Sequence, residues 1–276
     1  MKVGSLFSGI GGIDLGLERA GMEVIWQCEK DKFCQRVLRK HWPNVTMYDD
    51  VSDIGDSTEK VDIICGGFPC QPVSIAGKQQ RQDDERWLWP DFARVIRQLR
   101  PRYVFMENVS GLLVGGMGDV LGDLAEIGYD AEWQVLPAAA FGAPHLRARV
   151  FIIAYERGER SQGFLADRAE GLSTRRVGGE SAGLGYVPML RGLDLSDSRF
   201  SRMGVSLPIS RRKNRPRRLE YGPIFGSESW SPFSHPLRVA NGFPNRVDRL
   251  KSIGNAVVPQ VSEWIGKRIM MWDNNG

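Results

Sequence analysis

The sequence predicts an α/β fold with a doubly wound sheet, and three observations carry that expectation. The chain opens as an apolar strand, a glycine-rich turn and an amphipathic helix. Short apolar runs then alternate with helical periodicity up to about residue 155. Finally, one apolar run ends in Gly66-Gly67-Phe68-Pro69-Cys70-Gln71-Pro72-Val73-Ser74, a turn that cannot extend a sheet, because proline lacks an N–H and fixes its own φ. Open α/β sheets keep their ligand crevice at such strand ends, so Cys70 is presented where chemistry is expected.

The first strand covers residues 2–7, and the turn is Ser8-Gly9-Ile10-Gly11-Gly12. A helix follows through Ile13, Leu15, Leu17 and Ala20, and Gly21 stops it. This is a nucleotide-binding opening, yet the fingerprint G-x-G-x-x-G fails, because Asp14 stands where the third glycine belongs. A carboxylate at a helix N-terminus repels a pyrophosphate. The turn therefore suits a nucleoside ligand without phosphate, such as S-adenosylmethionine, which carries a sulfonium and an amine.

The second strand, residues 24–28, ends at Glu29, 20 residues after Gly9. A carboxylate at that distance is placed to bond ribose hydroxyls. A helix is expected over 31–41, closed by Pro43, and Met47-Tyr48-Asp49-Asp50-Val51 follows. Residues 61–65 form the strand that leads into the Cys70 turn. Beyond that turn, residues 74–86 are polar without periodicity and read as a loop able to cover the site. A helix over 87–99 ends before Pro101. Strand 103–106 ends in Glu107-Asn108-Val109, which puts a carboxylate on the same sheet edge as Cys70. A helix near 120–127 and a strand over 129–136 lead to Pro144-His145-Leu146-Arg147-Ala148-Arg149 and a strand over 150–154. Two arginines two apart share one face of an extended chain.

From about residue 156, glycine, serine and arginine rise and periodicity fades. Arg211-Arg212-Lys213-Asn214-Arg215-Pro216-Arg217-Arg218 is a basic run near Tyr221, Phe225, Trp230 and Phe233, a pattern suited to nucleic-acid backbone contact and equally to a solvated loop. Periodicity returns at 246–251. Ser252-Ile253-Gly254-Asn255-Ala256-Val257-Val258-Pro259 then leads into a closing helix with Val261, Trp264, Ile265 and Ile269.

Composition bounds the rest. The 276 residues carry a formal net charge of +4, 42% are hydrophobic and 25% charged, which fits a globular domain with a sizeable core. No stretch approaches a membrane span of roughly 20 apolar residues. The N-terminus lacks the pattern of a signal peptide, so a cytoplasmic location is expected. The cysteines, Cys28, Cys34, Cys65 and Cys70, lack the close pairing of a zinc site, and no metal is expected.

In their order, the Ser8–Gly12 turn, Pro-Cys-Gln, Glu-Asn-Val, Pro-x-x-Arg-x-Arg and Gly-Asn-x-Val-Val-Pro resemble the motifs of the DNA (cytosine-5)-methyltransferases. The resemblance covers residues 1 to about 155 and about 235 to the end. It implies a Rossmann-like, S-adenosylmethionine-dependent methyltransferase domain built from residues 1–156 and 241–276, with a target-recognition domain inserted at 157–240. It implies methyl transfer to C5 of a flipped-out cytosine in a specific double-stranded DNA sequence, with Cys70 as nucleophile assisted by Glu107, Arg147 and Arg149, and S-adenosylhomocysteine as product.

The cofactor residues it implies are Phe7, Ser8, Gly9, Ile10, Gly11 and Gly12 in the first turn, then Glu29 and Lys30. Asp50 and Val51 join them, Asp49 competing with Asp50 for the adenine amino group. Gly67, Phe68, Pro69, Leu88, Asn255 and Ala256 complete the set. DNA contacts are expected from Gln71 and Ser74, and from Arg211, Arg212, Arg217 and Arg218 of the basic run. His145 stands where the family often has Gln, which leaves its role open. A monomer is expected, in a prokaryotic cell or phage-encoded, with a restriction endonuclease acting separately as a possible companion. Three rivals share features. An RNA methyltransferase on this scaffold would typically carry Cys-Phe-Thr, which does not occur. A non-enzymatic DNA-binding module would not need Cys70, Glu107 and both arginines. A nucleotide-dependent oxidoreductase is disfavoured by Asp14 and by the lack of C-x-x-C.

Overall fold

A computed structural model describes residues 1–69, 87–157 and 246–274. Cys70, Gln71, Ser74, the loop 74–86, the basic run at 211–218 and all but the first residue of the expected recognition segment 157–240 lie outside the described residues.

The described chain folds as β1 (Lys2–Leu6), α1 (Gly12–Arg19), β2 (Glu23–Cys28), α2 (Lys32–His41), β3 (Thr46–Tyr48), β4 (Ile63–Gly66), α3 (Trp89–Leu99), β5 (Tyr103–Val109), α4 (Met117–Ile127), β6 (Tyr129–Pro137), β7 (Ala148–Glu156), α5 (Arg246–Asn255) and α6 (Pro259–Asp273). The seven strands make one sheet in the order β3-β2-β1-β4-β5-β7-β6. β1 to β5 pair in parallel, whereas β7 runs antiparallel to both β5 and β6. The sequence does not display that reversal: β6 reads as a half-buried strand and β7, buried from Val150 to Tyr155, as a continuous apolar run, and neither pattern carries a direction.

Both sheet faces are covered, which explains why β4 and β5 read as continuous apolar runs rather than alternating ones. Val3, Ile63, Cys65, Phe105, Phe151 and Ile153 pack with Ile13 and Leu17 of α1 and with Val261, Ile265 and Ile269 of α6. The residues between them, Leu6, Ile64, Val104, Met106, Val150 and Ile152, pack on the other face with Phe92, Ile96 and Leu99 of α3 and Val120 and Leu124 of α4. Along β1, β4, β5 and β7 the change of face is the period of two that extended backbone imposes. In β2 a register shift opposite Val3 and Gly4 breaks it, so that Val24 packs on one face and Trp26 on the other.

Helix limits follow local chemistry. Asp31 caps α2 by accepting from the N–H groups of Phe33 (2.8 Å) and Cys34 (3.2 Å). Pro90 and Pro259 sit in the first turns of α3 and α6, where the missing N–H costs nothing. The N- and C-terminal parts of the chain close on each other through α1 and α6. Ser262 Oγ donates to the carbonyls of Gly12 and Pro259 at 3.1 Å each. A Cβ on Gly16 would lie 2.0 Å from Ser262 Oγ, and one on Gly266 would lie 2.8 Å from Ala20 Cβ. Only glycine allows these two helices so close.

The strand order reverses between β1 and β4, so their C-terminal ends face a crevice at the switch point. The turn after β1 and residues 67–69 after β4 both stand there. Among the described residues, no helix is long and apolar enough to cross a membrane.

Candidate functional site

Two groups of side chains line the C-terminal edge of the sheet. The first surrounds the turn after β1. Phe7, Gly9 and Gly11 take positive φ values of 52°, 58° and 83°. A Cβ on Gly9 would meet nothing within 4 Å, so the turn faces open space. Ser8 ties it to the next strand, its N–H donating to the Cys28 carbonyl at 3.1 Å. Glu29 is fixed from both sides: Oε2 accepts from Gly9 N–H and Oε1 from Asp31 N–H, each at 2.7 Å. The residue 20 positions after Gly9 thus does meet the turn, and its unshared lone pairs are left for a ligand.

Across β2 and β3, Lys30 pairs with Asp50 (3.1 Å). Asp50 accepts from Ser52 N–H and Ser52 Oγ at 3.0 Å, and the Ser52 N–H bond leads the causes that hold its carboxyl below the usual range. Asp49 is engaged elsewhere, with Lys32 at 2.7 Å and Gln35 at 3.0 Å. Val51 beside Asp50 is buried.

Asp14 sits differently from the sequence-based expectation. It does not confront a ligand at the helix N-terminus; it is wholly buried beneath the turn, accepting from Ser5 Oγ (3.1 Å) and Gln27 Nε2 (2.8 Å). Burial pushes its carboxyl up to about 6, against those hydrogen bonds. The turn is thus underpinned by a polar triad that spacing alone did not show.

The second group lies where β4 and β5 end. Gly67 lies against Glu107: a Cβ there would be 2.9 Å from Glu107 Oε2. Arg149 Nε is 3.1 Å from Glu107 Oε1. Glu107 is 8% exposed, and burial pushes it up to about 7 although Arg149 and Arg147 pull the other way. A carboxyl group poised near neutrality beside a guanidinium can hold or release a proton at working pH.

The two arginines do not act as the matched pair that an extended chain suggests. Arg147 takes a φ of 34° just before β7, and its side chain turns to the C-terminal segment. It donates to the carbonyls of Gly254 (2.6 Å) and Ala256 (2.7 Å). Arg149 alone reaches Glu107, while Arg147 bridges to the C-terminal end of α5 at Gly254 and to Ala256 just beyond it. Asn255 and His145 are exposed. Leu88 stands immediately before α3, its carbonyl accepting from Phe92 N–H. Pro69 is exposed at the last described position before Cys70, and Phe68 is buried among Trp87, Trp89 and Phe92.

The three other cysteines are unsuited to nucleophilic work. All are buried, and burial pushes Cys28 up to about 12, raises Cys34 and holds Cys65 well above the ordinary range. Among the described residues no cluster of His, Cys, Asp and Glu could hold a metal ion. The residues that fit a ligand instead suit a cationic nucleoside. An open glycine turn, a fixed Glu29 and Asp50 present acceptors and negative charge without a phosphate cradle.

The family model described as C-5 cytosine-specific DNA methylase matches residues 1–177. The chain is similar to the Type II methyltransferase M.HhaI of Haemophilus parahaemolyticus, 35% identical over 58% of this chain and 50% of that protein. It is also similar to the Type II methyltransferase M.AquIA of Picosynechococcus, 34% identical over 58% of this chain and 74% of that protein. The chain thus spans about half the length of the first relative and about three-quarters of the second. In fold it resembles the S. pombe Dnmt2 methyltransferase, with a TM-score of 0.50 and 20% identity over 59% of this chain and 53% of that one.

Proposed function

The chain belongs to the C-5 cytosine-specific DNA methylase family, and from that membership we propose that it methylates C5 of cytosine in double-stranded DNA, drawing the methyl group from S-adenosylmethionine. One observation supports this above the others. The buried Glu107, paired with the half-buried Arg149, abuts Gly67, three residues before Cys70, on the sheet edge that also carries the glycine turn and Glu29.

In this reading the turn at 7–12 makes room for the cofactor's amino-acid part, Glu29 accepts from ribose hydroxyls, and Asp50 accepts from the adenine amino group. Asp50 is chosen by its position in the family motif; both carboxylates have partners, Asp49 with Lys32, Gln35 and Arg39 and Asp50 with Lys30 and Ser52. Phe7, Val51, Phe68 and Leu88 provide apolar walls. Bound S-adenosylmethionine supplies an electrophilic methyl group.

The chain's own residues make cytosine able to accept it. The Cys70 thiolate adds to C6, forming an S–C6 bond and moving electron density to C5. Glu107 shares a proton with N3, which offsets charge pushed into the ring, and Arg149 orients Glu107 and adds positive charge beside the nucleophile. After C5 is methylated, its proton leaves to a base and the S–C6 electrons return to sulfur, restoring the ring. The cytosine has to leave the base stack for Cys70 to reach it. Residues 157–240 serve as the recognition domain, and Gln71 and Ser74 contact DNA beside the flipped base. Since the relatives are Type II methyltransferases, a separately acting restriction endonuclease is the proposed companion activity.

Bisulfite sequencing of DNA from cells expressing the chain tests the proposal directly. Protected cytosines should appear in one sequence context and vanish with Cys70→Ser, because an alcohol is far less nucleophilic than a thiolate. A Cys70→Ser protein with full methylation overturns the covalent route, and an unprotected genome with the wild-type chain overturns the activity.

A further inference from the structure

Asn108 is a buried polar side chain, 4% exposed, that the mechanism above does not use. The parallel ladder between β4 and β5 ends at the pair Gly66 and Met106. Past that point β4 has ended, and the Phe68 carbonyl lies beyond the last pair of the ladder. Asn108 Nδ2 serves it instead, donating to Phe68 O at 3.1 Å. The other end of the carboxamide is also engaged: Oδ1 accepts from Val109 N–H at 2.9 Å. Only one orientation of the amide satisfies a carbonyl and an N–H together, so the group is locked.

The same turn is held at two further points. The Phe68 ring packs edge-on against Trp87, with centroids 5.6 Å apart, and against Trp89 and Phe92. Glu107, next to Asn108 on β5, lies against Gly67. Successive residues of one strand therefore grip successive residues of the turn, Glu107 at Gly67 and Asn108 at Phe68. Glu107 has chemistry to perform there. Asn108, amide-locked and uncharged, has only a position to maintain.

We propose that Asn108 is a positioning residue, which sets the approach of the Cys70 thiolate to C6 by fixing the Phe68 carbonyl two residues upstream. The proposal rests on the reading of Cys70 as nucleophile. Misplacing a reacting group by about 1 Å can cost on the order of 10²-fold in rate. Losing the Asn108 bond is therefore expected to slow attack without weakening either ligand.

The test follows the single-turnover rate at which the full chain forms a covalent adduct with duplex DNA containing 5-fluorocytosine, from which the C5 substituent cannot leave as a proton. Asn108→Ala should slow adduct formation by about 10- to 100-fold, with affinities for S-adenosylhomocysteine and DNA unchanged. Asn108→Asp keeps the shape and the acceptor for Val109 N–H but, once ionised, cannot donate to Phe68 O. A protonated carboxyl can donate, so its deficit relative to wild type should shrink as pH falls. A merely structural role would not produce that pH dependence, and Asn108→Asp also serves if Asn108→Ala fails to fold. An Asn108→Ala adduct rate equal to wild type, or a pH-independent deficit in a folded Asn108→Asp protein, overturns the proposal. Failure of the wild-type chain itself to form the adduct would instead overturn the nucleophile reading.

Discussion

Two buried carboxyl groups carry the sharpest expectations for individual residues. Glu107 titrates near 7 in the folded protein instead of near 4.5, so its protonated fraction grows as pH falls through neutrality. If that proton is shared with cytosine N3, the single-turnover methylation rate should decline above about pH 7 as Glu107 ionises. Glu107→Gln should lower the rate by roughly 10²-fold or more and remove this alkaline limb. An unchanged limb in the Gln variant would assign it to another group. Asp14 makes a different prediction, about stability. Its carboxyl rises from 3.8 to about 6 on folding, so its contribution is fully favourable below about pH 4 and is lost as pH rises through 6. Asn can replace it while accepting from Gln27 and bonding Ser5. Asp14→Asn should therefore be more stable than wild type at pH 8, by up to about 3 kcal/mol, and the difference should vanish toward pH 4. Urea unfolding at both pH values checks it.

The elements show where glycine is required and where it is incidental. Gly16 of α1 faces α6 so closely that an added Cβ would overlap Ser262 Oγ and the Pro259 carbonyl. Gly122 of α4 has nothing within 4 Å of such a Cβ. Alanine favours a helix by about 1 kcal/mol at either position, so the contrast isolates packing. Gly122→Ala should raise the urea midpoint slightly, whereas Gly16→Ala should lower stability by about 1–3 kcal/mol through overpacking. The sequence displayed these elements well, because period-two and period-3.6 patterns and the punctuating Gly and Pro are local properties. Helix 87–99 begins two residues later, at Trp89, but its core face is as expected. Strand direction, the α1–α6 contact and the diverging targets of Arg147 and Arg149 were not legible, since each depends on partners far along the chain. The sequence marked Glu29 by its spacing of 20 residues from Gly9, but the hydrogen bond from Gly9 N–H to its carboxylate was not legible, since it depends on how the two strands pair. Asn108 left one signal, a second polar residue directly after Glu107 at the end of an apolar strand, but its partner Phe68 could be found only in space.

At the scale of the whole molecule, the proposal that residues 157–240 engage DNA makes its own predictions. In the chain these residues separate β7 from α5, and α6 returns to the same sheet face that α1 covers. Recognition by an insertion should divide affinity from specificity. Phosphate contacts supply binding that depends on salt and not on sequence, whereas base contacts choose the site. The basic run, with Arg211, Arg212, Arg217 and Arg218, is suited to the first role because guanidinium groups closely spaced along a chain can track a backbone. Replacing these four with Ala should weaken duplex binding and make the slope of log K against log salt shallower, by roughly 0.9 for each phosphate no longer neutralised. Bisulfite sequencing of the same variant should return the wild-type target sequence at a lower level of methylation. A wild-type salt slope would show that the run is solvated and touches no phosphate. An altered target sequence would show instead that these arginines read bases. Grafting residues 157–240 onto a related catalytic domain completes the test, because the sequence preference should move with the segment while the alkaline limb assigned to Glu107 stays with the catalytic domain.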